Sequence, residues 1–140
     1  MNSGIELHDS TISQIDETGR IVVIEFSPAY VHKSERKPGI DAGTGWVQNA
    51  RLRLTGASLS GDRPQLPENL WDGSLRVGVQ EYPNWLPVPL QAREAVELHL
   101  VFVSGHEIDI SAESIELELT GEAKYVEEFG GGNADPSRSG

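Results

Sequence analysis

Cysteine is absent from the 140 residues, so no disulfide framework, zinc–thiolate site or thiol nucleophile is open to this chain. A stapled secreted module is thereby excluded. No run approaches the roughly 18 apolar residues of a membrane span, and "MNSGIELHDS" carries neither the basic nor the apolar region of a secretory leader. The expectation is a soluble, cytoplasmic protein. Bases are scarce too, with 11 Lys and Arg against 22 Asp and Glu and a formal net charge of −11. The shortage is uneven: residues 1–93 hold 11 acids and 9 bases (−2), whereas residues 94–140 hold 11 acids and 2 bases (−9). Such a field repels nucleic-acid phosphates and anionic lipid and attracts a basic protein. The partner expectation is therefore a basic protein, with no nucleic acid, no membrane and no cofactor. Oligomeric state is left open.

What the chain does contain is a period of two. "VVIEF" places Val22, Ile24 and Phe26 on one face and Ile21 and Val23 on the other, as in a strand covered on both sides. "QNARLRL" sets Gln48, Ala50, Leu52 and Leu54 against a basic stripe of Arg51 and Arg53. "VELHLVFV" turns Val96, Leu98, Leu100 and Phe102 inward, and "SIELEL" does the same with Ile115, Leu117 and Leu119 while Glu116 and Glu118 meet water. Turn signals fall at Thr18-Gly19, Gly43 to Gly45, Gly61-Asp62, Asp72-Gly73, Ser104-Gly105 and Ser111 to Glu113. The three prolines of "YPNWLPVPL" forbid a central strand there, so the run reads as an edge or a polyproline-like connection whose Leu86, Val88 and Leu90 still point inward. "EAKYVEEF" reads either as a short helical turn, with Tyr125 and Phe129 on one side, or as a last edge strand. These patterns predict an all-β fold: one antiparallel sandwich or flattened barrel of about eight strands over residues 1–129, with at most short helical turns, and a flexible tail at 130–140.

Chemistry is harder to find. His8, Asp9 and Ser10 bring an imidazole, a carboxylate and a hydroxyl together, but neighbours in an extended chain point to opposite faces, so adjacency is the wrong geometry for a relay. Asp9 and Ser10 are turn and cap formers, and His8 fits as a half-buried hydrogen-bonding residue. No Gly-x-Ser-x-Gly elbow occurs. The four histidines, His8, His32, His99 and His106, show neither His-x-His nor i, i+4 spacing, so no metal site is expected. His99 lies on an outward face with Glu97 and Val101. "PGIDAGTGW", residues 38–46, lacks the Gly-Lys-Ser/Thr of a phosphate loop and offers only Asp41 to calcium, so its glycines read as a tight turn delivering Trp46 to the rim of the sheet. A long ordered loop of this kind is also a candidate recognition element. Trp46 and Trp71 read as caps over the ends of a β core, and Tyr82 and Trp85 as the exposed aromatics best placed to bind.

The opening "LHDSTISQI" followed by "VVIEF" resembles a set of small bacterial proteins that begin with a Leu-His-Asp-Ser/Ala signature, some of them grouped with immunity proteins of polymorphic toxin systems. The resemblance covers about the first third of the chain and implies a small β protein that blocks a partner by binding it, with no catalytic residues to carry over.

Three functions are weighed. The first is a non-enzymatic binding protein of the immunity type, whose acidic strands from Glu94 to Glu118 and acidic segment Glu122 to Glu128 face a basic partner such as a nuclease toxin. Its contact residues would be Glu116, Glu118, Glu127 and Glu128, with Tyr82 and Trp85 as anchors. The second is a carbohydrate or small-ligand binder that stacks its ligand on Tyr82, Trp85 and Trp46. The third, ranked last, is a hydrolase or metal enzyme using His8 or His99 with Asp9 or Glu97.

Overall fold

The computed structural model describes residues 2–34 and 42–129, which form twelve strands and no helix. In chain order they are β1 (Asn2–Glu6), β2 (Thr11–Thr18), β3 (Ile21–Ser34), β4 (Gly43–Thr55), β5 (Ser58–Gly61) and β6 (Glu68–Val77). There follow β7 (Gln80–Pro83), β8 (Trp85–Val88), β9 (Leu90–Ala92), β10 (Val96–Phe102), β11 (Glu107–Ala112) and β12 (Ser114–Phe129). The all-β expectation holds, but the count of about eight is corrected to twelve. Five of the strands, β1, β5, β7, β8 and β9, span only three to five residues, too few to show an alternation. The expected tail at 130–140 and residues 38–41 of the glycine-rich stretch lie outside the described residues.

Pairing is antiparallel throughout along the open path β5-β11-β10-β6-β2-β3-β4-β12-β9, with β1 set between β3 and β8 and β7 laid against β6. Among the described residues the sheet does not close through hydrogen bonds. Pro89 alone separates β8, which pairs with β1, from β9, which pairs with β12. Because proline has no N–H for a ladder, these short strands sit at margins, as the prolines required. Register shifts between Phe26 and Ala29, and again along Thr120–Lys124 and Tyr125–Glu127, mark bulges in the long β3, β4 and β12. Bulges bend and twist a strand, so one long strand can serve two parts of a core.

The inward rows follow the expected parity. Val96, Leu98, Leu100 and Phe102 are buried, as are Val22, Ile24 and Phe26, and Ala50, Leu52 and Leu54, all within one apolar cluster. Each of these side chains other than Ala50, taken fully from water, contributes about 1.5–3 kcal/mol. Ile21 is a correction, since it stands exposed instead of covered. The ambiguous "EAKYVEEF" is strand, the end of β12. Thr18-Gly19 and Ser104-Gly105 do make turns, whereas Gly43 to Gly45 and Asp72-Gly73 lie inside β4 and β6. In these strands glycine permits close approach: a Cβ on Gly43 would meet the Lys33 carbonyl, and one on Gly73 would meet the His99 carbonyl at 2.7 Å and Leu7 Cδ1 at 2.8 Å.

Candidate functional site

The opening tripeptide resolves as a turn. The Ser10 N–H donates to the Leu7 carbonyl at 3.0 Å, with His8 and Asp9 exposed at the bend between β1 and β2. Ser10 itself is buried, donating its hydroxyl to the Glu6 carbonyl at 2.6 Å and accepting the Tyr30 N–H at 2.9 Å. It therefore ties β1 to β3 through two backbone groups. Ser10→Ala is expected to cost about 1–3 kcal/mol, the range for removing a buried hydroxyl that serves two hydrogen bonds. Chemical denaturation would show it, and a loss below about 0.5 kcal/mol would contradict the role assigned here. His8 is exposed, not half-buried. Its backbone N–H donates to Asn84 Oδ1 at 2.8 Å, and its Nδ1 lies 2.7 Å from the Trp71 carbonyl.

Beside this turn lies a knot of polar groups. Tyr30 donates its hydroxyl to Glu127 Oε1 at 2.7 Å, and His32 Nδ1 lies 3.4 Å from Glu6 Oε1. Burial raises the Glu6 carboxyl above the usual range; His32 opposes the shift and the neighbouring Asp9 reinforces it. The folded chain thus holds a proton at Glu6 more tightly than an unfolded one, and that contribution to stability fades as pH rises through its titration. Burial also raises the Tyr30 phenol, helped by its bond to Glu127 and by the negative charge of Glu127, Glu6 and Asp9. Glu127, expected at a partner surface, is exposed and accepts the Tyr30 hydroxyl.

Two of the other acids picked from the sequence stand opposite bases. In the β12–β4 register Glu116 faces Arg53 and Glu118 faces Arg51, and Arg51 Nε donates to Glu25 Oε1 of β3 at 2.6 Å. The hydrogen bond and charge of Glu25, with Glu118 adding, raise the Arg51 guanidinium further above its ordinary value. The basic stripe of one strand and the acidic stripe of its neighbour form a ladder of opposite charges. Glu128 is exposed opposite Thr44.

An excess of acid collects elsewhere, on the outward face of β6, β10 and β11. Three rows cross it in register: Glu107, Val101 and Asp72; then Asp109, His99 and Ser74; then Ser111, Glu97 and Arg76, extended by Glu81 of β7. Five carboxylates share this face with one guanidinium. A depression of about 280 Å³ opens in it, lined by Glu81, Tyr82, Glu97, His99 and Asp109 among others. His99 Nδ1 lies 2.7 Å from Asp109 Oδ1 and its Nε2 lies 3.1 Å from Glu107 Oε1. Both nitrogens are directed at β11, so neither is turned to take a proton from Ser74 on β6, and the row Asp109, His99, Ser74 is not a catalytic triad in this arrangement. Glu97, the expected partner of His99, instead accepts the Ser111 hydroxyl at 2.9 Å. Among the described residues no group of three or more His, Asp or Glu side chains is placed to hold a metal ion.

Trp71 corrects another expectation. It does not cap the core but is 60% exposed. Val101 pairs with Asp72 and Phe102 with Leu70, leaving Trp71 as the extra residue of a bulge in β6. A bulge lets two consecutive side chains, Trp71 and Asp72, both stay exposed. The His8 ring braces the indole edge to face, with centroids 5.3 Å apart. Sequence reasoning missed this arrangement, although a signal was present: the buried positions Leu70, Leu75 and Val77 change parity between the first and the second. Val103, 58% exposed, continues the apolar rim where its N–H meets the Asn69 carbonyl at 3.0 Å.

The remaining aromatics have separate neighbours. Trp46 donates Nε1–H to Thr44 Oγ1 at 2.7 Å, meets Tyr125 edge to face at 5.4 Å and carries the Lys33 ammonium 4.5 Å above its ring. Trp85 is half-buried across Gly4, and Tyr82 forms a wall of the depression, so neither is the freely exposed ring expected. Comparison with family models, curated protein sequences and solved structures finds no match to this chain.

Proposed function

We propose that this chain is a non-enzymatic binding protein that captures a basic protein on the outward face of β6, β10 and β11. The observation that carries the reading is the gathering of five carboxylates with one guanidinium on that face, where Glu81, Glu97 and Asp109 line a depression together with Arg76, while Glu116 and Glu118 of β12 stand opposite Arg53 and Arg51. Complementary charge of this kind steers a partner in and speeds encounter. Affinity then needs an anchor, and Trp71, exposed yet held by His8, has the character of a hot-spot residue. An inhibitory, immunity-type role in the cytoplasm agrees with the resemblance of the opening signature. We read the sheet as folded over into two layers, sandwich fashion, because one apolar cluster draws on Val22, Ile24 and Leu52 and equally on Leu98, Leu100 and Ile108.

The test is capture from native host lysate at low and high salt, using the native chain, the E97K/D109K double variant and the E116K/E118K double variant. Basic proteins retained at low salt are expected to be lost from E97K/D109K, at least tenfold, and to persist with E116K/E118K. An unchanged profile for E97K/D109K would sink the proposal, and loss confined to E116K/E118K would return the binding face to β12.

A further inference from the structure

Beside the middle of β4 both neighbouring strands outgrow it. Ser27 and Pro28 of β3 stand against Asn49 alone, and Gly121, Glu122 and Ala123 of β12 stand against Gln48 alone. Surplus residues on both sides at one level bend both neighbours, and bulges are over-represented next to functional sites. The surplus in β12 is fixed in place: Gly121 takes a φ of 71°, which glycine adopts without strain, and its carbonyl accepts the Gln48 Nε2–H at 3.0 Å. A hollow of about 480 Å³ opens here, away from the face of β6, β10 and β11, lined by Pro28, Val47, Gln48, Asn49, Glu122 and Lys124. Its volume falls within the range of small-molecule sites.

The charges around this hollow are not spent on each other. Glu122 and Lys124 both border it, yet among the described residues neither forms an ion pair, with the other or with a third group, and the Asn49 carboxamide has no hydrogen bond. Opposite charges that share a concave site without closing on one another match a molecule that carries both charges itself. From this arrangement we infer that the hollow is a binding site for a free α-amino acid with an aliphatic side chain. The ligand's ammonium is met by Glu122, its carboxylate by Lys124 and the Asn49 amide, and its side chain lies against Pro28 and Val47. A compound lacking either charge leaves one protein charge unanswered, and that difference supplies the selectivity.

The experiment titrates L-leucine, leucinamide and N-acetylleucine into the native chain, E122Q and K124Q while backbone amide signals are recorded. Leucine is expected to shift residues 47–49 and 121–124 saturably, and each analogue with a single charge to bind about fivefold more weakly, the upper end for one ion pair exposed to water. E122Q is expected to weaken leucine by a similar factor and leave N-acetylleucine unchanged. K124Q is expected to weaken leucine and N-acetylleucine and leave leucinamide unchanged. Both side chains are exposed, so neither substitution is expected to disturb folding. The inference is overturned if leucine gives no saturable shift at these residues, if the three compounds bind equally, or if each variant weakens all three alike.

Discussion

Phe102→Ala is expected to lower stability by about 3–5 kcal/mol, the range for removing a buried aromatic ring. Phe102 is 1% exposed and ends the inward row of β10, where the register slips and Trp71 is forced out of line. Its backbone is fixed on both sides, the N–H donating to the His106 carbonyl at 2.9 Å while the residue pairs with Leu70. The strand therefore cannot collapse into the space the ring vacates, and the loss should fall toward the upper end of that range. The same void lies under the bulge that displays Trp71, so partner capture is expected to weaken even where the variant stays folded. Denaturant unfolding gives the first quantity, and comparison with Leu98→Ala, buried in the same row, controls for general destabilisation. If the two variants lost partner capture equally at equal stability, the link between Phe102 and the display of Trp71 would be wrong.

Gly4→Val is expected to be nearly as damaging, by about 3 kcal/mol, the upper end for overpacking. The Trp85 indole lies directly across Gly4, in the space any Cβ would need. Relief by moving the backbone is blocked, because β1 is laddered to β3 on one side and to β8 on the other. The ring must therefore leave, and with it the cover over one side of β1. A blue-shifted component of tryptophan emission should be lost along with stability. The cycle G4V, W85A and G4V/W85A isolates the contact: in the Trp85→Ala background Gly4→Val should cost far less, a coupling of about 1–3 kcal/mol. Additive losses would show that the clash is not with Trp85.

How much of this was legible beforehand can be judged residue by residue. Val96 to Phe102 alternated cleanly and the fold obeyed, because a half-buried strand leaves no other choice of face. Ser10 was legible as punctuation because local hydrogen bonding alone explains a hydroxyl at a bend. Partners across strands were not legible. The neutralisation of Glu116 and Glu118 depends on which strand lies beside β12 and in which register, and that information sits in residues 51 and 53. His99 misled for the same reason, since Glu97 is its neighbour in sequence, whereas Asp109 stands directly opposite it at the short cross-strand spacing. β1, β5 and β7 escaped detection because four or five residues carry too little pattern and take their order from the ladders they join, whereas β8 and β9 lie in the proline-rich run that reads as an edge.

The run from Trp85 to Ala92 behaves like a buckle. Its first half is fastened to the strand that begins the described chain and its second half to the strand that ends it, with Pro89 as the pin between them. Two stretches far apart in sequence are in this way kept within one residue's reach of each other. A chain opened at that pin would keep every inward-facing side chain yet leave two short strands, each held by a single ladder and free to seek pairing on another molecule.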